Sequence, residues 1–174
     1  MKYPVVVPGE GPERCTGMIL GEAPGRDEIS QGRPFVGASG TLLSETLEFL
    51  GVSRDDFYIT NAFRGDVGWG NPNPTSEQVS DHTELLWKDV QERGIKFILA
   101  LGNVASGAVA PLDYQLPFKI TRDHGQWYRS WLGVEFIPAY HPSYVLRGRK
   151  TREPVFAVDV RRFVRRCQDV EGDE

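Results

Sequence analysis

Apolar residues gather in four short runs, at about residues 17–21, 57–62, 96–101 and 134–139, each bounded by Gly, Asn or Pro, and each run predicts a buried strand. Between these runs the spacing becomes helical. Leu42, Leu43, Thr46, Leu47 and Leu50 share one face that Gly51 closes, and Thr75 with Gln78 offers a capping box for a helix running through Leu85, Leu86 and Val90 to Gly94. The stretch from Trp127 to Leu132 and the run 134–139 predict a hairpin about Gly133, while Val155, Phe156, Val158, Val160 and Phe163 predict a closing amphipathic helix. The β-α-β-α-β order predicts an α/β fold with a mostly parallel sheet covered on both faces. Such sheets bind ligands outside the carboxyl ends of their strands, where the segments starting at Gly21, Asn61, Gly102 and His141 are expected.

The chain has 174 residues, 40% of them hydrophobic, enough to bury a core within one domain, 1–174, with a flexible acidic tail from about 169 to 174. No internal repeat or linker interrupts it. A formal net charge of −4 argues against a uniformly basic surface, so any contact with nucleic acid is local. The charge is uneven: Arg147, Arg149, Lys150 and Arg152 cluster after His141, Arg161, Arg162, Arg165 and Arg166 follow, and an acidic end masks them. Two cysteines, Cys15 and Cys167, form no CxxC pair, which points away from a disulfide scaffold or a zinc site and towards a reducing, cytoplasmic setting. The run Val5 to Val7 is too short for a signal-peptide core, and no run approaches a membrane span.

The residues at the expected strand ends carry recognisable chemistry. Glu22 lies between a strand and the turn-forming Ala23-Pro24-Gly25, where the backbone at Gly21, Ala23 and Gly25 can approach a ligand and the carboxylate can face the cleft. A surface turn with an incidental glutamate gives the same local pattern, and the spacing does not match G-x-G-x-x-G. Phe35, within Gly32-Arg33-Pro34-Phe35-Val36-Gly37, can serve as a platform for a planar base or fold back into the core. Asn61 ends a strand with an amide that both donates and accepts, as a pyrimidine edge requires; an Asx turn would explain it equally. His141 is held extended by Pro142 at the mouth of a strand. In the basic loop that follows, Ser143, Tyr144, Leu146, Arg147, Arg149 and Lys150 suit entry into a duplex and a grip on phosphates, with a solvated charge run as the rival.

Taken in register, GEG at 9–11, GEAPG at 21–25, QGRPFVG at 31–37, YITN at 58–61, ILALG at 98–102, GQWY at 125–128 and YHPSYVLR at 140–147 resemble the uracil-DNA glycosylase superfamily, most closely its family 4 branch of iron–sulfur enzymes. The resemblance implies a three-layer α/β/α sandwich around a short parallel sheet. It implies that Phe35 stacks on a flipped uracil, Asn61 reads its Watson–Crick edge, Glu22 positions water and stabilises the cationic sugar, and His141 donates towards the pyrimidine O2. The Ser143–Arg147 segment would then fill the space the base leaves in the minor groove. The implied partner is uracil-containing DNA, bound by a monomer that leaves an abasic site.

One departure is large. Family 4 enzymes hold a cluster on four cysteines, and here the corresponding later positions fall near Gly65 and at His82, while Cys15 stands elsewhere. No iron–sulfur cluster, metal or other cofactor is therefore expected, and Trp69 and Trp87 are expected to pack in its place. The residues after Asn61 also lack the basic, His-bearing loop of the relatives that bind uracil covalently, which predicts turnover. The alternatives are a glycosylase for another modified pyrimidine, with clearance around Ala23, Gly25 and Phe35 deciding, or a non-catalytic uracil-DNA-binding module. A small-nucleotide hydrolase has no P-loop lysine or metal-ligand cluster to support it.

Overall fold

The computed structural model describes residues 1–172, and the apolar runs occupy the centre of a three-layer α/β/α sandwich. In chain order the elements are β1 (Gly17–Gly21), α1 (Arg26–Gln31), α2 (Ala38–Phe49), β2 (Tyr58–Asn61), α3 (Ser76–Asp81), α4 (Thr83–Arg93), β3 (Phe97–Leu101), α5 (Gly102–Val109), α6 (Ile120–Asp123), β4 (Tyr128–Arg129), β5 (Glu135–Ala139), α7 (Pro142–Leu146) and α8 (Arg149–Glu171). The five-stranded sheet has the order β2-β1-β3-β5-β4, parallel except for the short edge strand β4.

Alternation along the strands divides the core in two. Ile19, Leu99, Leu101, Ile137 and Ala139 point to a layer with Leu42, Leu43 and Leu47 of α2 and Phe156, Val160 and Phe163 of α8. Met18, Leu20, Ile98, Ala100 and Phe136 point the other way, to Leu86 and Val90 of α4 and Ala105 and Val109 of α5. Strands buried on both faces read as continuous apolar runs, which is why the sequence announces them clearly.

Several expectations change. The helix expected from Thr75 to Gly94 breaks at His82, whose Nδ1 accepts from Arg64 N at 2.9 Å and whose Nε2 lies 2.9 Å from Tyr3 O, so the residue turns inward and divides α3 from α4. The Thr75–Gln78 capping box is present and serves α3 alone. The hairpin about Gly133 pairs only Tyr128 and Arg129 with β5. Val158 is 42% exposed, because the buried face of α8 follows Phe156, Val160, Phe163, Val164 and Cys167, and Val158 falls between those rows. Residues 143–152 are not a loop: Pro142 stands at the first position of α7, and α8 begins at Arg149. The acidic end is helical through Glu171, whereas Asp173 and Glu174 lie outside the described residues. Among the described residues, no helix is long and apolar enough to cross a membrane.

Candidate active site

The connection from β2 to β3 steps over β1, and the strand ends on either side of that step open into a cavity of about 810 Å³. Glu22 after β1, Asn61 closing β2, Gly102 after β3 and His141 after β5 all line it. Ala23, Gly25, Phe35, Ser143, Tyr144 and Arg147 also line it. Gly21 lies behind them, opposite Asn61 in the parallel register, and a Cβ there would overlap both Asn61 Oδ1 and the Phe35 ring. Leu146, Arg149 and Lys150 are not among the residues that line the cavity.

Phe35 is buried, with φ +51, in the left-handed region that a bulky residue rarely adopts. Two constraints hold it there. Gly40 of α2 packs so closely that any Cβ would overlap the Phe35 backbone. Arg54, in a 3₁₀ turn at Arg54–Asp56, donates from Nη1 to Phe35 O at 2.5 Å and from Nη2 to Pro34 O at 2.9 Å and Glu10 at 3.1 Å. Arg33 completes the clamp through a bidentate pair with Glu10 at 2.9 Å for both contacts, and holds that carboxyl below its ordinary range. The Phe35 ring is presented 6.3 Å from the His141 ring, centroid to centroid.

The polar groups are set apart electrostatically. Burial pushes the Glu22 carboxyl above its ordinary value, and no hydrogen-bond donor reaches that carboxylate among the described residues. The carboxylate is partly buried and left open to the cavity. His141 caps α7: Ser143 N donates to Nδ1 at 3.1 Å, and Ser143 Oγ lies 2.8 Å from the same atom. Burial first and the Arg147 charge second bring the imidazole down to about 4, so the ring is neutral at pH 7. An Nδ1 that accepts leaves the proton on Nε2, the group free to donate to a ligand. Gly102, at φ +91, lets the His141 side chain come close, since a Cβ there would stand 3.2 Å from His141 Cβ.

The basic segment divides by partner. Arg147 is exposed at the cavity wall, and Arg152 donates to Tyr144 O at 2.8 Å while its guanidinium lies 3.6 Å from the Tyr144 ring centroid. Arg149 is paired with Glu153 at 2.5 Å and Glu45 at 3.6 Å, which offsets its charge locally. Leu146 is partly buried against the core beside α2 and α8, so it does not stand out as a free wedge.

The family model of the uracil DNA glycosylase superfamily matches residues 8–164. The chain belongs to that superfamily. It is 38% identical over 151 residues to the type-4 uracil-DNA glycosylase of Archaeoglobus fulgidus, covering 84% of this chain and 75% of the relative. It is 40% identical over 147 residues to the type-4 uracil-DNA glycosylase of Pyrobaculum aerophilum, covering 81% and 73% respectively. The crystal structure of Pedobacter heparinus SMUG2 shares the fold at 12% identity and a TM-score of 0.55, over 90% of this chain and 77% of that one.

Within this superfamily member the residues present do not fit the cluster that the resemblance to family 4 brings. Such a cluster needs four thiolates, and the chain has two cysteines. Cys167 is buried and its thiol is pushed up by that burial; Cys15 Sγ lies 3.5 Å from Gly17 O. Both His82 nitrogens are already engaged. The two tryptophans expected to take the cluster's place do not, since Trp69 is 97% and Trp87 48% exposed. Against His82 packs Phe63, whose ring lies 4.8 Å from His82 and 5.9 Å from Tyr3, and nearby lies a buried Arg64–Asp89 ion pair.

Sequence reasoning did not single out Arg54 or Glu10 as site residues. Glu10 was visible only as part of the GEG motif. Arg54 carried no signal, because its role depends on the distant carbonyls of Pro34 and Phe35. Asn71, Pro72 and Asn73, which also line the cavity, had no local pattern either.

Proposed function

We propose that this superfamily member is a monofunctional uracil-DNA glycosylase, a hydrolase that removes flipped-out uracil from DNA and leaves an abasic site for base excision repair. The observation that carries the reading is the convergence on one cavity of an aromatic platform at Phe35, a buried amide at Asn61, a partly buried carboxylate at Glu22 and a neutral imidazole at His141.

The chemistry follows from where charge develops. As the C1′–N1 bond breaks, its electron pair passes to the pyrimidine and delocalises onto O2, and the deoxyribose becomes cationic. His141 Nε2–H donates to that O2 without transferring its proton, and the Glu22 carboxylate stabilises the cation and orients water towards C1′, accepting a proton as the water adds. Asn61 pairs with the base edge while Phe35 stacks on its face. Flipping gives access at a cost of a few kcal/mol, least for an unpaired or mispaired base. Ala23, Gly25 and Phe35 set the room at the pyrimidine 5-position. Arg147 and Lys150 meet backbone phosphates, the protein acts as a monomer formed from one domain, and Ser143 and Tyr144 border the extruded nucleotide.

The test is excision from single-stranded and duplex oligonucleotides carrying uracil, thymine, 5-hydroxymethyluracil or hypoxanthine, with and without alkali, for wild type, Glu22→Gln and His141→Ala. Uracil release with the strand intact until alkali, and loss in both variants, is expected. Release of only another base moves the substrate, and tight uracil-DNA binding without release makes the protein a binding module.

A further inference from the structure

Beyond Asn61 the chain runs through buried residues 62–65 and then rises into a tip at Gly68-Trp69-Gly70-Asn71. The Trp69 indole is 97% exposed, a large apolar surface left in water beside the cavity. The tip is built rather than loose. Asn71 N donates to Gly68 O at 3.3 Å, closing a four-residue turn in which Gly70, at φ +77, supplies the positive φ that a type II turn needs at its third position. Trp69 therefore occupies the leading corner. The turn is pinned from below: Gly68 N donates to Asp66 Oδ1 at 2.8 Å, Arg26 Nη1 lies 3.5 Å from Asp66 Oδ2, and Arg26 Nη2 donates to Gly68 O. Arg26 lines the cavity, as do Asn71 and Pro72 immediately after the turn. The turn thus adjoins the base-binding cavity through Arg26, Asn71 and Pro72, and the cavity wall also carries the cations Lys119 and Arg147, which with Arg26 suit a passing phosphate backbone.

We infer that Trp69 is a second stacking platform, which takes the face of an unpaired nucleobase neighbouring the extruded nucleotide and so favours single-stranded DNA. In a duplex the base faces are covered by their neighbours; in a single strand they are free, and stacking on an aromatic side chain tolerates any base. The inference rests on the glycosylase reading for its register along DNA, yet the contact itself needs no uracil.

The experiment measures binding of a uracil-free oligothymidine single strand and of a matched duplex to wild type, Trp69→Ala and Trp69→Phe, alongside excision kinetics on a uracil-containing single strand. Trp69→Ala is expected to weaken single-strand binding about 5- to 150-fold. It should leave the salt dependence unchanged, because the indole carries no charge. Duplex binding should change less than about 2-fold, within the range of a neutral surface substitution. KM on the uracil strand should rise with kcat retained, Trp69→Phe should recover most of the loss, and the quenching of intrinsic fluorescence on binding should diminish in Trp69→Ala. Equal single-strand affinity of wild type and Trp69→Ala, or an equal loss on duplex, overturns the inference. Wild type that excises no uracil while the oligothymidine difference persists overturns the glycosylase reading and keeps the stacking platform.

Discussion

Arg54 touches none of the cavity surface, yet the geometry makes it the group on which Phe35 depends. A bulky residue at φ +51 costs about 1–3 kcal/mol and persists only where its surroundings over-determine it. Gly40 gives the room, and Arg54 supplies the attraction through two carbonyl bonds at 2.5 and 2.9 Å. Arg54→Met keeps the stem and removes the fork. If the released loop relaxes by the strain it holds, the fraction with Phe35 in place falls by about 5- to 150-fold, and apparent substrate affinity falls by that fraction. The assay is kcat/KM on a uracil oligonucleotide for wild type, Arg54→Met, Phe35→Ala and the double variant. Since Arg54 acts through Phe35, the double variant is expected to lose little more than Phe35→Ala alone. Arg54→Lys should be intermediate at best, because a single ammonium cannot reproduce the fork. Multiplying losses, or full kcat/KM in Arg54→Met, would refute the reasoning.

The pH profile should carry an acid limb set by Glu22, whose folded-state value is raised above 4.5, with activity falling as pH drops through that value and the limb absent from any residual activity of Glu22→Gln. The same raised value means the unfolded chain binds fewer protons above pH 4.5, so Glu22→Gln should unfold at higher urea than wild type at pH 7 and lose that advantage in acid. His141 acts in the opposite sense: its value falls from 6.5 to about 4, so stability present above pH 6.5 should drain away between there and pH 4, and this slope should flatten in His141→Ala on pH-dependent urea titration. Gly21→Ala should lower kcat/KM at least about 10-fold, the scale expected when a reacting group is displaced, because its Cβ would press on Asn61 and Phe35; wild-type kinetics would show that the site adjusts. Asp89→Ala should cost about 3–5 kcal/mol in urea unfolding by leaving Arg64 buried without its partner, its side chain being 7% exposed.

The sheet was readable because parallel strands buried on both faces leave uninterrupted apolar runs, and the strand ends then located Glu22, Asn61 and His141 without further information. Short helices were not. The five residues of α7 have too little sequence for a helical period to emerge, so a capped helical turn reads as a loop. Val158 looked like core from composition, but the face of a helix is decided by which rows meet the sheet. The Phe35 conformation was invisible for a different reason: its strain is local, while Arg54 and Glu10, which relieve it, come from segments 19 and 25 positions away in sequence (54 − 35 and 35 − 10).

The segment after Asn61 shows how one stretch can serve two ends. Its first half is tied down without any thiolate: Arg64 N reaches His82, His82 reaches Tyr3 O, and Asp81 accepts from Lys2 N at 2.9 Å and Tyr3 N at 2.8 Å. These bonds fasten the first residues of the chain over Phe63 and fix the base of the segment against α3 and α4. With that base rigid, the second half can project without loosening the cavity wall, and Arg26 carries the remaining tie from the side of Glu22. An exposed indole on a floppy loop would lose to ordering entropy much of what stacking contributes; on a turn already closed and pinned, little remains to be ordered when a base arrives.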